Sequence, residues 1–195
     1  MSAISPSLSK HELRAAALAR RDALSSDHRA AAAQALAARG LPVAITPGMV
    51  VSGYWPIRSE LDPTPLLRAL AAQGAQLALP GIIARDRPLQ FRAWSPGDAL
   101  ARGPLGILEP PPEATEIIPD ILLVPLAAFD RFGHRIGYGA GHYDRSLALL
   151  RAAKNIVAIG VAFAAQEIDA VPAQPHDAAL DYVLTETQMF DCRSS

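Results

Sequence analysis

Residues 129–145 read Phe-Asp-Arg-Phe-Gly-His-Arg-Ile-Gly-Tyr-Gly-Ala-Gly-His-Tyr-Asp-Arg, and the rest of the chain is organised around this stretch. An apolar run, 121–124, precedes it, and an amphipathic run, 146–150, follows it. This order predicts a strand, a long glycine-rich loop and a helix. Such junctions bind anions in α/β proteins, because glycine lets the backbone approach a ligand and the helix N-terminus presents free N–H groups.

The glycine spacing matches neither G-x-G-x-x-G nor G-x-x-x-x-G-K-[ST], so neither common nucleotide fingerprint is met. A surface loop whose glycines only satisfy turns therefore stays an alternative. Arg135 and Arg145 flank the loop with positive charge. Asp144 falls in the first turn of the predicted helix, where it could hold a cation or simply interact favourably with the helix dipole.

Composition limits the class of protein. The chain has 195 residues, half of them hydrophobic, and a formal net charge of −1. We expect a single domain over residues 1–195, with no charge-driven attraction to nucleic acid or membrane. The one cysteine, Cys192, allows neither an internal disulfide nor a cysteine-based zinc site. With no apolar run near the roughly 18 residues of a membrane span and no secretory signal, a cytoplasmic protein is expected.

Predicted strands alternate with predicted helices along the chain, which favours a parallel-rich sheet covered on both faces. The strands are expected at 49–55, 75–79, 89–94, 121–124, 156–162 and 182–184. The helices are expected at 10–24, with Ser9 as N-cap, at 27–38, at 63–73 and after the glycine loop. Residues 103–112 are rich in proline and glycine and are interpreted as a wandering loop.

Two groups of residues outside the glycine loop are candidates for ligand binding. Lys10 and Arg14 are four positions apart, so they share a helical face and could hold an anion between them. Ordinary solvated charges are the alternative. Tyr54, Trp55 and Glu60 lie at the carboxyl end of a predicted strand, where open α/β sheets collect ligands. For the two aromatic residues, core packing is an equal alternative.

The glycine stretch and its flanks closely resemble the signature of the 5-formyltetrahydrofolate cyclo-ligase family, also called methenyltetrahydrofolate synthetases. The similarity extends to Tyr-Trp-Pro-Ile-Arg-Ser-Glu-Leu-Asp at 54–62 and to a Gly-Ile-x-Glu-Pro segment at 106–110, and the recognisable pattern runs from Lys10 to Glu186. The matching signature positions are Val124, Pro125, Ala128, Phe129, Asp130, Gly133, Arg135, Gly137, Tyr138, Gly139, Gly141, Tyr143, Asp144 and Arg145.

The resemblance implies a three-layer α/β/α fold with a mixed, mostly parallel sheet. It also implies conversion of 5-formyltetrahydrofolate to 5,10-methenyltetrahydrofolate, with ATP as co-substrate and Mg²⁺ as cofactor. The partners would be these small molecules alone, with no nucleic acid and no membrane, and the protein would act as a monomer. Phosphoryl transfer to the formyl oxygen would create a leaving group, and N10 of the folate would then close the ring.

Residue roles follow from the same resemblance. Arg135 and Glu60 would be catalytic, and Asp144 and Asp181 would hold the metal. The substrate would contact Tyr54, Trp55, Glu60, Tyr138 and His142. ATP would contact Lys10, Arg14, Arg135, Ile136, Gly137, Tyr138, Gly139, Ala140, Gly141, His142 and Tyr143.

One position departs from the family pattern. His142 stands where many members carry tyrosine, which leaves the pH profile and the nucleotide preference open. Two other functions compete with the ligase. One is a sugar-phosphate isomerase or acyltransferase on a related scaffold, which needs no ATP; the other is a binding module that holds nucleotide or folate without turnover.

Overall fold

The computed structural model describes residues 8–174 and 177–193. Its α-helices are α1 (Lys10–Asp22), α2 (Ser26–Arg39), α3 (Thr64–Ala72) and α4 (His142–Ala153), and Ala164–Gln166 forms a 3-10 helix. The predicted cap of α1 is confirmed. Ser9 Oγ accepts from the Glu12 N–H at 3.3 Å, and the Glu12 carboxylate accepts from the Ser9 N–H at 2.8 Å. This reciprocal pair satisfies two backbone donors and fixes where the helix begins.

Within the described residues, seven strands form one sheet and four more form two small hairpins. The sheet order is β11-β10-β9-β6-β1-β2-β3, with parallel pairing from β10 through β2 and antiparallel pairing of both edge strands, β3 and β11. The hairpins are β4–β5 and β7–β8. In chain order the strands are β1 (Val50–Ser52), β2 (Gln76–Gly81), β3 (Gln90–Ala93), β4 (Ala101–Arg102), β5 (Leu108–Glu109), β6 (Ile121–Pro125), β7 (Ala128–Phe129), β8 (Arg135–Ile136), β9 (Val157–Val161), β10 (Tyr182–Leu184) and β11 (Met189–Asp191).

Two hydrophobic cores flank the sheet and define three layers. On one face, Leu36 of α2 and Leu67 of α3 pack against alternate residues of the central strands. On the other face, Leu147 and Leu150 of α4 pack against the intervening residues. Adjacent residues of β6 face opposite cores because side chains alternate along a strand. The predicted α/β/α fold with a mixed, mostly parallel sheet is confirmed.

Helix α1 lies beside the β7–β8 hairpin. Ala17 packs with Ala128 and Ile136 in a small separate core. This contact sets α1, and the cations on it, next to the glycine loop that follows β8.

The far edge of the sheet supports the same hairpin. Phe190 of β11 packs edge-on against Phe129 of β7, with ring centroids 5.4 Å apart. The Leu180 N–H donates to the Gly133 carbonyl at 2.9 Å. Gly133 has a φ of +85°, and a Cβ there would lie 2.5 Å from the Leu180 oxygen, so the turn of the hairpin requires glycine.

Several sequence predictions are corrected. The strand predicted at 49–55 is paired only over Val50–Ser52. Tyr54 is buried in the core without pairing in the sheet, so the hydrophobic run extends beyond the strand. The predicted loop at 103–112 includes β5. The predicted loop after β6 includes the β7–β8 hairpin, and the helix after the glycines begins at His142. β10 is followed by the exposed strand β11, whose pattern gives no buried run to detect.

None of the helices in residues 8–174 and 177–193 combines the length and the hydropathy needed to span a bilayer.

Candidate functional site

A cavity of about 710 Å³ opens at the carboxyl edge of the sheet, next to the neighbouring strands β1 and β6. The chain continues from β1 toward β2 on one side, and from β6 toward β9 on the other. Ligands collect where strand order reverses in this way, because the two connections leave a crevice between them. The segments after β1 and β6 both line the cavity.

The cavity collects nearly all the predicted site residues, from four separate parts of the chain. They come from α1, from the loop after β1, from β8 with the glycine loop, and from the start of α4. The lining includes Lys10, Arg14, Tyr54, Trp55, Glu60, Arg135, Ile136, Gly137, Tyr138, Gly139, Ala140, Gly141, His142, Tyr143 and Asp144.

The glycine loop has the geometry of an anion cradle. Gly139 and Gly141 have φ values of +95° and +66°, which side-chain-bearing residues rarely adopt. Gly141 is the N-cap of α4, so the loop delivers the chain directly into a helix N-terminus. Within the described ranges, the N–H groups of residues 137–141 donate to no protein acceptor. They are therefore available to a bound anion.

Cations surround this loop. Arg14 Nε donates to the Gly137 carbonyl at 2.7 Å, which fixes its guanidinium against the loop. Lys10 Nζ lies 2.5 Å from Asp177 Oδ2. Both α1 cations also line the cavity, as their four-residue spacing predicts. Arg145 instead braces the loop, since its Nη2 donates to the Ala140 carbonyl at 2.5 Å.

Arg135 and Asp144 form the most buried ion pair at the loop. Arg135 Nη2 lies 2.6 Å from Asp144 Oδ1, and Arg135 Nη1 donates to the Ala178 carbonyl. Burial lowers the pKa of Arg135, and the charges of Asp144 and Asp177 oppose that shift. The Asp144 side chain is 31% exposed. Its Oδ1 also accepts a hydrogen bond from the Ala178 N–H at 3.2 Å. The site therefore contains a cation that is held in place, Arg135, next to a carboxylate that a ligand can reach, Asp144.

Glu60 supplies a second, separate polar centre in the cavity. Its side chain is buried, and Oε2 accepts from the Ile57 N–H at 2.9 Å. Burial raises the pKa of Glu60 above its ordinary value of 4.5, while hydrogen bonding from Tyr138 and Ile57 and the charge of Arg21 oppose the rise. A carboxylate held in this way can accept hydrogen bonds from a ligand without losing its orientation.

Aromatic residues enclose the Glu60 carboxylate. The Tyr54 hydroxyl donates to the Leu61 carbonyl at 2.6 Å, so it is committed to the loop rather than free for a ligand. Trp55 meets Trp94 edge-on, with centroids 6.2 Å apart. Burial, followed by the Glu60 charge, raises the pKa of Tyr138 and of Tyr143, which keeps both phenols neutral.

His142, the first residue of α4, is buried and lines the cavity. Its Nδ1 lies 3.1 Å from the Arg87 carbonyl, an arrangement that requires Nδ1 to carry the proton. Its Nε2 is buried without a hydrogen-bond partner among the described residues. A buried nitrogen of this kind is available to a ligand donor.

The prediction that Asp181 holds the metal is not supported. Asp181 precedes β10 and lies at the amino edge of the sheet, opposite the cavity. Its Oδ2 pairs with Arg151 Nη2 at 2.9 Å and accepts from the Ala158 N–H at 2.7 Å. Ligands bind at the carboxyl ends of parallel strands, so a residue that directly precedes such a strand lies at the opposite edge. The position of Asp181 before the predicted strand at 182–184 was enough to predict this.

Sequence reasoning assigned no role to several lining residues. Asp177, the partner of Lys10, lies in a loop with no local signal. Glu109 accepts from the Ile82 N–H at 3.0 Å and lies 3.6 Å from Arg92. Leu105 and Ile107 come from the β4–β5 hairpin and give the cavity an apolar wall. The Gly-Ile-x-Glu-Pro segment at 106–110 was the sequence feature that could have placed this hairpin at the cavity.

Fold and cavity together define an α/β ligand-binding protein whose site joins a cationic glycine loop to a buried carboxylate enclosed by aromatic residues. The chain belongs to the 5-formyltetrahydrofolate cyclo-ligase family, whose model matches residues 6–186. It is 38% identical over 189 residues to the 5-formyltetrahydrofolate cyclo-ligase of Mycolicibacterium smegmatis, covering 91% of this chain and 93% of the relative.

Two further relatives agree. The 5-formyltetrahydrofolate cyclo-ligase of Escherichia coli K12 is 31% identical over 137 residues, covering 68% of this chain and 75% of the relative. The solved structure of Aquifex aeolicus 5,10-methenyltetrahydrofolate synthetase superimposes with a TM-score of 0.79 at 30% identity, covering 95% of this chain and 94% of that one.

Proposed function

We propose that this protein converts 5-formyltetrahydrofolate to 5,10-methenyltetrahydrofolate, with ATP hydrolysed to ADP and phosphate. The observation that carries the proposal is that the glycine loop and its cations share one cavity with the aromatic-enclosed Glu60. One side suits a triphosphate and the other suits a nitrogen-rich ring, so both substrates can meet there. Family membership supports the same reaction.

The reaction begins with phosphoryl transfer. The formyl oxygen on N5 attacks the γ-phosphorus of ATP, and ADP leaves. The formyl carbon becomes electrophilic, N10 attacks it and loses its proton, and the C–O bond breaks. The formyl oxygen departs within inorganic phosphate, and the N10–C bond completes the methenyl ring. The protein's task is to align these atoms and to stabilise charge on the transferring group.

The residues divide between the two substrates. The N–H groups of the glycine loop, with Lys10 and Arg14, hold phosphate oxygens, and the planar fork of Arg135 suits the γ-phosphate. Glu60 accepts hydrogen bonds from the folate ring, with Trp55 and Tyr138 beside it. His142 Nε2, which has no hydrogen-bond partner among the described residues, accepts a further hydrogen bond from a ligand.

The donors present fit a magnesium ion that is only partly held by protein. The described residues include no group of three or more His, Cys, Asp or Glu side chains that could hold a metal ion. Mg²⁺ needs no such cage, because it binds through one or two carboxylates together with phosphates and waters. Asp144, in the first turn of α4 beside the glycine loop, is the carboxylate that we assign to this role. When bound, the ion would supply charge neutralisation to the phosphates.

The proposal includes the setting in which the enzyme works. The proposed enzyme acts as a monomer with a single domain over residues 1–195. The single cysteine, Cys192, is buried and free, which suits the cytoplasm.

The test is the absorbance of methenyl-folate during incubation with 5-formyltetrahydrofolate, with and without ATP and Mg²⁺. Product should form only when all three are present, with one ADP released per turnover. An isomerase or acyltransferase would show no ATP requirement. A binding module would bind both ligands and form no product, and either result would contradict the proposal.

Replacing both Lys10 and Arg14 with alanine should raise the KM for ATP about tenfold or more. Each cation can make a charge-assisted bond to phosphate, a contact worth roughly 1.5–3 kcal/mol. Steady-state kinetics with varied ATP would measure the change. The matched control replaces Arg20 and Arg39, two exposed arginines that donate to carbonyls outside the cavity. An unchanged KM for ATP would show that Lys10 and Arg14 are ordinary solvated charges with no role in ATP binding.

Asp144→Asn should lower kcat at saturating ATP and raise the Mg²⁺ concentration needed for half-maximal rate. Asparagine keeps an acceptor oxygen for Arg135 and for the Ala178 N–H but loses the charge that holds the ion. Mg²⁺ titration of initial rates would measure both effects.

Asp120→Asn is the control for Asp144→Asn. Asp120 also pairs with a cation, Lys154 at 2.5 Å, and accepts from a backbone N–H, that of Val50 at 2.7 Å, but it lies at the amino edge of the sheet. The control should alter stability only. If Asp144→Asn merely lowers the melting temperature and keeps a normal Mg²⁺ dependence, Asp144 is structural.

A further inference from the structure

Arg21, in the last turn of α1, is a buried cation that the reaction described above leaves without a role. Its residue is only 2% exposed. A buried charge is costly unless it is paired or fully hydrogen-bonded, so the partners of Arg21 show what it does.

Arg21 contacts two segments of the candidate site. Its Nη1 donates to the Tyr138 hydroxyl at 2.5 Å, and its guanidinium carbon lies 5.9 Å from the centre of the Tyr138 ring. Its Nε donates to Ser59 Oγ at 3.0 Å, and Ser59 directly precedes Glu60. One side chain therefore connects α1 both to the glycine loop and to the loop that carries Glu60.

The neighbouring acid does not account for this placement. Asp22 Oδ1 lies 3.4 Å from Arg21 Nε, and its side chain is 59% exposed, so water screens the pair. The buried negative charge near Arg21 is Glu60, and Tyr138 lies between them. The Tyr138 hydroxyl accepts from Arg21 and interacts with the Glu60 carboxylate, so the three side chains form a cation–phenol–carboxylate bridge.

We infer that Arg21 is a positioning residue: through Tyr138 and Ser59 it fixes the Glu60 carboxylate relative to the glycine loop, and so aligns the folate with the nucleotide. This inference rests on the proposed function for its kinetic consequences. The bridge gives Tyr138 a fixed place even though 41% of that residue is exposed at the tip of the loop.

The bridge also affects the ionisation of Glu60. The titratable and charged groups that face Glu60 are Arg21 from α1, Tyr138 from the glycine loop, Tyr143 from α4 and Tyr54 from its own loop. Arg21 is the cation among them and lowers the pKa of Glu60 against the dominant effect of burial. Without Arg21, Glu60 holds its proton to a higher pH, and the acid limb of folate use moves to higher pH.

The test compares Arg21→Gln, Arg21→Lys, Tyr138→Phe and the Arg21→Gln/Tyr138→Phe double variant. Arg21→Gln should lower kcat/KM for 5-formyltetrahydrofolate about tenfold to a hundredfold, the range for losing a hydrogen bond to a charged group. Tyr138→Phe breaks the same bridge, so the double variant should lose little more than the worse single variant. Arg21→Lys keeps the charge and should leave the acid limb near its wild-type position.

A second readout needs no substrate. NMR titration of the ¹³C-labelled Glu60 carboxyl should give a higher pKa in Arg21→Gln and in Tyr138→Phe than in the wild type. Arg20→Gln is the matched control, because Arg20 is the adjacent arginine of α1 and donates to the Ala165 carbonyl at 2.7 Å, outside the cavity. It should change neither the pKa nor kcat/KM.

Either of two results would overturn the role of Arg21. One is an unchanged Glu60 pKa in Arg21→Gln; the other is a double variant whose loss equals the product of the single losses. If Arg21→Gln does not fold, Tyr138→Phe alone must raise the Glu60 pKa and lower kcat/KM. A wild-type protein that forms no methenyl-folate would refute the proposed function, while the NMR titration would still decide the role of Arg21.

Discussion

Replacing Arg135 with alanine is expected to lower kcat by about a hundredfold or more, the loss typical of removing one preorganised group that stabilises a transition state. Arg135 is buried, and contacts with Asp144 and Ala178 hold its guanidinium in place. Under the proposed mechanism, it would meet the transferring phosphoryl group without reorganising. Because charge on that group grows during transfer, kcat should fall by a larger factor than KM for ATP rises.

Arg131→Ala is the matched control for Arg135→Ala. Arg131 lies in the same β7–β8 hairpin and also pairs with a carboxylate, Glu167 at 2.6 Å, but its side chain is 69% exposed and outside the cavity. Single-turnover measurements at saturating ATP, together with melting temperatures, separate chemistry from stability. Equal losses of kcat in the two variants, or a loss explained by unfolding, would remove Arg135 from the chemical step.

Glu60→Gln is expected to raise the KM for 5-formyltetrahydrofolate about tenfold to a hundredfold and to leave the KM for ATP nearly unchanged. Glutamine keeps the shape and can still accept from the Ile57 N–H, but it loses the charge that would strengthen the proposed hydrogen bonds from the folate ring. Initial rates with each substrate varied in turn would measure the two constants.

The pH profile adds a second test of Glu60. Burial raises its pKa above 4.5, so the carboxylate that is proposed to bind folate is lost as pH falls through that raised value. Folate use by the wild type should decline at a higher pH than an ordinary glutamate would produce, and Glu60→Gln should lack that limb. Glu116→Gln is the control, since Glu116 is exposed and bonds Gln90 at 2.7 Å. Equal effects on folate and ATP would argue against a substrate role for Glu60.

Local signals predicted the parts of the fold that depend on nearby residues. Ser9 and Glu12 fix the start of α1 within four positions, and the buried run of β6 leads directly into the β7–β8 hairpin and the glycine loop. Lys10 and Arg14 face the cavity as their spacing predicts. The strand at 49–55 was overextended, because a hydrophobic run does not distinguish sheet pairing from burial in a loop.

The features that were missed depend on distant partners. Arg21 and Tyr138 are separated by 117 positions, and Lys10 and Asp177 by 167. The residues adjacent to them in the sequence give no indication of either contact. Asp181 and Asp144 are both acids next to a structural element, and only the direction of β10 separates the amino edge from the carboxyl edge. The direction of the predicted strand could have been used to exclude Asp181 from the site. The contacts of Arg21 with Tyr138 and Ser59 could be found only from the three-dimensional structure.

The packing of β11 against the β7–β8 hairpin has a consequence for the order of folding. Phe129 and Phe190 are distant in sequence, so their contact closes a long loop, which is slower than forming a helix or a hairpin turn. The hairpin that presents Arg135 therefore gains its final support only when the far edge of the sheet is in place. Helices α1 and α4 can form early from local contacts, but the arginine between them is set among the last steps. A chain in which β11 had not yet paired with β10 would lack the Phe129–Phe190 contact that supports this hairpin.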